Sequence, residues 1–299
     1  MSAISIIIAT KDRAAYLHQA LSSLVVQEGH PGFEVIVVDN ASSDDTANVI
    51  RAASEEVPFP LRYAYEPVPN RGKARNRGVA RAKSELILFV DDDVWLPPNF
   101  VRAHVDAHLD GNPAAVSGPI INVPSYAERP RPTPFHFSNA FFCTCNVSLP
   151  KARFDAAGGF DEDFELYGWE DTELGLRLRE GGLARGFAWD AYLFHIKPPA
   201  EATLESAMRK TIEKAQMAAR LIRKHPSRRA KLAAGAYGLN YLRARAFAPA
   251  WLQPLYAGLL TQRLVPRALA GFVRTQLLDG IYVRELSEAR WREQSRPAH

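Results

Sequence analysis

Cysteine is scarce in this chain: among 299 residues there are two, Cys143 and Cys145. With a single residue between them they would, on a strand, share one face but be badly set for a mutual disulfide. That argues against a disulfide-stapled scaffold. Free buried thiols in a reducing compartment are expected, with a paired metal site as the alternative. No stretch offers about 18 or more clean apolar residues, so a regular spanning helix is not expected. The opening apolar run Ile4–Ile8 is short and lacks the basic leader and cleavage site of a signal peptide. The expected location is therefore cytoplasmic, with peripheral contact on the inner face of the cell membrane left open by the basic tail described below. Two phosphate-binding signatures are missing as well. There is no G-x-G-x-x-G after the first apolar run and no Walker A sequence, which weakens dinucleotide and P-loop readings.

Hydrophobic residues make up 47% of the chain and aromatics 10%, enough to bury a substantial core rather than remain disordered. The net charge of +4 conceals an asymmetry. Residues 1–200 carry 19 Lys/Arg against 26 Asp/Glu (net −7), and residues 201–299 carry 18 against 7 (net +11). An acidic body with a basic tail implies that the tail meets something anionic. The first hundred residues alternate strand and helix signals, which argues for a mostly parallel α/β sheet. Ile4–Ile8, Val35–Val38, Leu61–Tyr65 and Leu86–Val90 read as strands, with helical spacing from Tyr16 to Val25, after Ser42–Thr46 and over Lys73–Lys83. Further on, Pro124 to Pro134 reads as a mobile surface loop, Phe135–Leu149 as strand-like, Thr172–Glu180 as a helix closed by Gly181-Gly182, and Phe187–His195 as a last strand stopped by Pro198-Pro199. From Thr203 on the chain reads as helical and basic. The domain reading is 1–200 (nucleotide half 1–100, acceptor-side half 101–200) followed by a helical region, 201–299.

The residues that carry chemistry cluster at predicted strand ends. Asp91-Asp92-Asp93 follow Leu86–Val90, where clustered carboxylates raise one another's pKa unless a cation compensates them. Hard divalent ions bind such oxygens together with phosphates, so a metal–diphosphate site is one reading and a solvated acidic loop the other. Asp39 closes the second strand, where a carboxylate can accept from a nucleobase or ribose, or simply cap the next helix. Arg71, Lys73, Arg75 and Arg77 form a basic helix from which one arginine could reach a diphosphate, and spacing does not choose among them. Tyr167-Gly168-Trp169-Glu170-Asp171 combines rings that could stack on a sugar with carboxylates that could act as a base or cap a helix. His195 ends a strand as either a packed residue or a ligand.

Taken in order, these strings resemble a family-2 glycosyltransferase with the A-type glycosyltransferase fold, over most of residues 3–200. Ser5–Arg13 resembles the opening strand and donor loop, Glu34–Ser42 the base-binding strand, Gly72–Gly78 the phosphate-side helix, and Leu88–Asp93 the D-x-D metal motif. Gly158–Glu162 and Trp169–Asp171 resemble the acceptor-side turn and catalytic acids. The resemblance implies an inverting, non-processive enzyme, since no Q-x-x-R-W string follows the acid pair. It implies that Asp39 holds the base with Thr10, Asp12 and Arg13 nearby, and that Arg75, Asp91 and Asp92 face the nucleotide sugar. Asp93, Asp91 and His195 would hold Mn²⁺ or Mg²⁺, with Asp171 as the base, Glu170 as second choice, and Tyr167 and Trp169 on the acceptor. The implied partners are a UDP- or dTDP-sugar and a glycan or lipid-linked hydroxyl. Rival readings are a metal-dependent nucleotidyltransferase and a non-catalytic sugar-binding protein. For the tail, basic residues around the charge-free stretch Ala246–Gln262 suit either an interfacial helix on an anionic membrane or packing on the body or a second subunit, so a homo-oligomer stays open. No reading motif accompanies the charge, and nucleic acid is not expected.

Overall fold

The computed structural model describes residues 2–112, 114–198, 203–261 and 266–294. Pro199, the 200/201 boundary and Gln262, all used above, lie outside the described residues. The chain divides into two compact units, Met1–Glu165 with Glu170–Glu201, and Leu166–Trp169 with Ala202–His299.

The first unit runs β1 (Ile4–Thr10), α1 (Ala14–Val25), β2 (Phe33–Asp39), α2 (Thr46–Glu56), β3 (Leu61–Tyr65), α3 (Arg71–Val79), β4 (Leu86–Val90), β5 (Val94–Trp95), α4 (Phe100–Asp106), β6 (Ala114–Ser117), β7 (Ile120–Val123), β8 (Asn146–Pro150), α5 (Lys151–Ala156), α6 (Glu170–Glu180), β9 (Ala184–Phe187) and β10 (Leu193–Ile196). Among the described residues, seven strands form one sheet in the order β3-β2-β1-β4-β8-β6-β9, and β5-β10-β7 form a smaller one. Pairs among β1 to β4 are parallel, β8 is antiparallel to both β4 and β6, and β9 is parallel to β6. The sheet is thus mostly parallel and flanked by helices.

The β-branched run of β1 explains why it sits centrally. Its residues alternate between two buried faces. Ile4, Ile6 and Ile8 pack with Leu17, Leu21 and Leu24 of α1, while Ile7 packs with Ala74 and Val79 of α3 and Phe89 of β4. Each such side chain contributes roughly 1.5–3 kcal/mol on burial. Helix α3 lies very close to the sheet because Gly78 lets it: a Cβ there would come within 2.6 Å of Ile7 Cγ2.

Two elements differ from the sequence expectation. Phe135–Leu149 is not one strand. Pro134–His136 forms a 3-10 turn and regular pairing starts only at Asn146. Nor is Phe187–His195 continuous. A turn in which Ala191 N–H donates to Ala188 O divides it, sending Ala184–Phe187 to the large sheet and Leu193–Ile196 to the small one. Helix α6 begins at Glu170, so both acids of the pair occupy its first turn, where they meet the positive end of the helix.

The second unit contains α7 (Leu204–Lys224), α8 (Arg228–Ala233), α9 (Gly238–Phe247), α10 (Gln253–Leu260) and α11 (Arg267–Gln294). Small residues let α7 and α11 pack closely, through Ala215, Ala218, Ala219 and Ile222 against Leu286 and Ala289. Arg223 Nε meets Glu293 Oε2 at 2.6 Å across the same pair of helices. Among the described residues, no helix is long and apolar enough to cross a membrane.

Candidate active site

Parallel register brings the chemistry to one sheet edge. Thr10 is opposite Asp39, Asp39 is opposite Tyr65, and Ile8 is opposite Val90, so Thr10, Asp39 and Asp91–Asp93 all emerge at the C-terminal ends of β1, β2 and β4. Ligands gather at this edge in open α/β sheets, at the point where strand order reverses. Here that point lies between β1 and β4.

Asp39 is buried, accepting the Ser42 N–H at 2.8 Å through Oδ1 and the Tyr63 hydroxyl at 3.2 Å through Oδ2. Asp12 has a left-handed backbone (φ 51°), and its Oδ1 accepts from the Ser43 N–H and hydroxyl. Those hydrogen bonds hold its carboxyl below the usual range and tie the loops after β1 and β2 together. Thr10 and Arg13 meet at Asp92: the Thr10 hydroxyl donates to Oδ2 at 2.7 Å and Arg13 Nη1 lies 3.2 Å from Oδ1. Burial nevertheless pushes the Asp92 carboxyl up to about 6. Asp93 is surrounded by donors: Arg13 Nη1 at 2.7 Å, His195 Nε2 at 3.0 Å and Lys197 Nζ at 3.5 Å. Burial opposes its ionisation, but His195, Lys197 and Arg13 outweigh it and hold the carboxyl well below the usual range.

Of the arginines in α3, Arg75 is the buried one, while Arg77 and Lys73 pair with Glu66 instead. Arg75 reaches Asp91 at 3.4 Å, Glu170 at 3.4 Å and Asp171 at 4.0 Å. Burial disfavours its charge, yet these carboxylates hold its pKa above the ordinary value. Asp171 Oδ2 accepts from the Thr144 N–H at 2.9 Å and from its hydroxyl at 3.0 Å, which fixes the side chain. Its Oδ1, like Glu170 Oε2, is buried with no hydrogen-bond partner among the described residues. Burial foremost, with help from Glu170 and Asp91 and against the pull of Arg75, pushes the Asp171 carboxyl up to about 7.

One donor atom each from Asp91, Cys145 and His195 lie within 4.8 Å of one another. His195 Nδ1 is 3.1 Å from Asn122 Oδ1, which leaves Nε2 directed at Asp93. Asp93 is not part of the three-residue gathering, and neither is Cys143. Tyr167 and Trp169 fall in the helical unit. The Trp169 indole N–H donates to Lys214 O at 2.7 Å, and Lys210 Nζ lies 5.6 Å from the Tyr167 ring centre.

The segment from Asn70 to Gly78 does more than present charge. Asn70 caps α3 by accepting the Lys73 N–H and donates to Glu162 O, and Asn76 exchanges hydrogen bonds with the Phe160 backbone. The helix thereby grips the 158–162 turn and aims Arg75 at the acids. Sequence reasoning missed Thr144, Asn122 and Lys197. The one signal available for Thr144 was its place between two cysteines on an otherwise aromatic stretch.

The mostly parallel sheet, with its acid cluster at the C-terminal strand ends, has the A-type glycosyltransferase fold. The family profile described as glycosyl transferase family 2 matches residues 5–160, and the chain belongs to that family. A second profile, described as the N-terminal domain of galactosyltransferase, matches residues 130–197. The chain is 29% identical over 263 residues to a validoxylamine A glucosyltransferase of Streptomyces hygroscopicus subsp. limoneus, covering 75% of this chain and 57% of that one. It therefore spans under two thirds of that enzyme's length. Among solved structures it resembles the mannosyltransferase PcManGT of Pyrobaculum calidifontis in complex with GDP-Man and Mn²⁺, with TM-score 0.67, 20% identity, and coverage of 98% of this chain and 88% of that one. It also resembles S. aureus TarS 1-349 in complex with UDP-GlcNAc, with TM-score 0.56, 19% identity, and coverage of 98% and 92%.

Proposed function

We propose that this glycosyltransferase is inverting and metal-dependent, moving a sugar from a nucleoside-diphosphate sugar to a hydroxyl of a glycan or lipid-linked acceptor. Asp171 carries the reading. Its Oδ2 is fixed by Thr144, its Oδ1 is buried and unpartnered, and burial places its pKa at about 7, where a general base is most effective. It would take the proton of the acceptor hydroxyl as that oxygen attacks the anomeric carbon from the face opposite the diphosphate, giving inversion. Arg75 would keep Asp171 ionised at working pH, and Asp39 would accept from the base or ribose at the strand edge, with UDP or dTDP as the expected nucleotide.

The donor set fits a divalent ion. Asp91 offers a carboxylate oxygen and His195 a ring nitrogen whose tautomer is set by Asn122, the outer-shell arrangement common at metal sites. Nε2 against the Asp93 carboxylate also needs a proton or a cation to be favourable. A bound Mn²⁺ or Mg²⁺ would offset charge on the departing diphosphate. The solved relatives bound to GDP-Man with Mn²⁺ and to UDP-GlcNAc support this choice of ligand class.

The test is Asp171→Asn, assayed for release of nucleoside diphosphate and for thermal stabilisation by UDP, dTDP and GDP. The amide oxygen can still accept from Thr144, so the fold and the nucleotide-induced shift should persist while turnover falls by roughly 10²–10⁴-fold. Wild-type turnover should rise as pH passes about 7. Undiminished turnover in the variant would refute the role, and release of pyrophosphate would point to nucleotidyl transfer instead.

In the helical unit, Leu239, Leu242, Phe247 and Trp251 are exposed, and residues 214–278 include Arg228, Arg229 and Arg245 but no Asp or Glu. That combination supports peripheral contact with an anionic membrane bearing a lipid-linked acceptor. Pelleting with phosphatidylglycerol vesicles but not with phosphatidylcholine is expected, and pelleting with neither, or equally with both, would refute it.

A further inference from the structure

We propose that Cys145 supplies a thiolate ligand to the ion held by Asp91 and His195, so that the site takes first-row transition ions, Co²⁺ and Zn²⁺ above Mn²⁺, in preference to Mg²⁺. This rests on the metal reading above and adds a sulfur donor to it.

Three separate segments deliver the donors, and backbone hydrogen bonding fixes all three. Val90 of β4 is opposite Asn146 of β8, so the next residues outward, Asp91 and Cys145, leave the same rung of the sheet from neighbouring strands. Strand β10 joins them, the Ile196 N–H donating to Asp93 O at 2.8 Å. The resulting donor atoms all lie within 4.8 Å of one another. With metal–nitrogen bonds of about 2.1 Å and metal–sulfur bonds of about 2.3 Å, neighbouring donors around one tetrahedral ion stand about 3.6 Å apart. Side-chain movements of up to about 1 Å would complete the triad. Cys145 is 5% exposed and forms the floor, whereas the Asp91 side chain retains 31% exposure, leaving an open side for phosphate oxygens or water.

Donor chemistry then decides selectivity. Mg²⁺ demands oxygen ligands and dehydrates reluctantly, so a carboxylate, an imidazole and a sulfur suit it poorly. The same mixed set suits later first-row ions, with affinity expected to rise from Mn²⁺ toward Co²⁺ and Zn²⁺. On binding, the thiol S–H bond breaks, its proton leaves to solvent, and the sulfur electron pair forms the metal–sulfur bond. No oxidant or reductant is involved. Cys143, two residues away, lies outside the gathering and serves as the internal control.

The experiment is a Co²⁺ titration of the metal-free full chain without donor, read by absorbance. Wild type is expected to show the visible ligand-field bands of bound Co²⁺ together with the near-ultraviolet thiolate-to-cobalt charge-transfer band. Cys143→Ser should keep both. Cys145→Ser should keep the visible bands, which also report a folded site, and lose the charge-transfer band. In Cys145→Ser, Mn²⁺ affinity should fall by at least the roughly 10-fold that loss of an outer-shell partner costs, with Mg²⁺ affinity little changed. Visible bands without charge transfer in wild type would overturn the thiolate and leave the metal reading standing. Loss of the band in Cys143→Ser with retention in Cys145→Ser would overturn it as well. Absence of any cobalt band would remove both.

Discussion

Arg75→Met withdraws one buried positive charge from three carboxylates. The guanidinium stands 3.4 Å from Asp91, 3.4 Å from Glu170 and 4.0 Å from Asp171, with 10% of its side chain exposed. At such separations each attraction is worth about 4 kcal/mol at an effective dielectric near 20. Desolvation offsets much of the gross sum, and removing one partner of a buried pair costs about 3–5 kcal/mol net. Methionine is long and apolar enough to stay against Phe160, so the packing part of the loss is about 1 kcal/mol. The charge part depends on pH. Burial already pushes the Asp171 carboxyl up to about 7 in the folded chain, and losing Arg75 would raise it further. An acid whose folded pKa lies above its unfolded value destabilises nothing below the unfolded value. Its penalty grows as pH rises from about 4 toward the folded pKa. The variant should therefore lie about 1–2 kcal/mol below wild type at pH 4.5 and about 3–5 kcal/mol below it at pH 8. Native-state hydrogen exchange of β1 and β4 amides in chelator reports the sheet unit alone and gives both numbers. An equal loss at the two pH values, or none at pH 8, would refute Arg75 as the neutralising cation.

Two further outcomes test the frame around the site. Gly78→Ala places a Cβ 2.6 Å from Ile7 Cγ2 and 3.1 Å from Val38 Cγ2, and the overpacking cost of about 1–3 kcal/mol should outweigh the roughly 1 kcal/mol that alanine gains in a helix. A raised melting temperature would contradict the close approach of α3 to the sheet. His104, fully buried between Ser148 Oγ and Asn146 Oδ1, is held down to about 3 by burial. Because the unfolded histidine takes up a proton below about 6.5 and the folded one does not, this group's contribution is intact above that pH and is lost as pH falls toward 3. It amounts to about 2 kcal/mol by pH 5. His104→Gln should remove that share of the acid sensitivity, and an unchanged difference in urea midpoint between pH 7 and pH 5 would count against it.

The nucleotide half was legible because its signals are local. A β-branched run, a turn and an amphipathic helix recur within about thirty residues. Ile4–Thr10 and Phe33–Asp39 keep their polar residues near their ends, and Leu86–Val90 is wholly apolar with its acids directly after it. Distances along the chain told less from residue 101 on. Phe135–Leu149 and Phe187–His195 read as strands on composition, but the turns at 137–145 and 188–191 divide or shorten them, and nothing in the apolar pattern marks where pairing stops.

The same distinction runs through the site. Asp91, Glu170 and Asp171 announce themselves by residue type, whereas Thr144, Asn122 and Cys145 acquire meaning only from register across β4, β8, β7 and β10. A hydroxyl between two thiols looks like part of a core strand until β8 is laid antiparallel to β4. Once it is, Thr144 holds Asp171 and Cys145 borders Asp91, on consecutive residues of one backbone. The proposed base and the proposed ion site are then coupled through Cys143–Cys145. A slip of one residue in β8 would move Thr144 and Cys145, which lead directly into it, away from Asp171 and Asp91 and disable both at once. This explains why β8 is fastened so heavily beneath them, by β4 and β6 on either side and by the His104, Asn146 and Ser148 hydrogen bonds on the helix side.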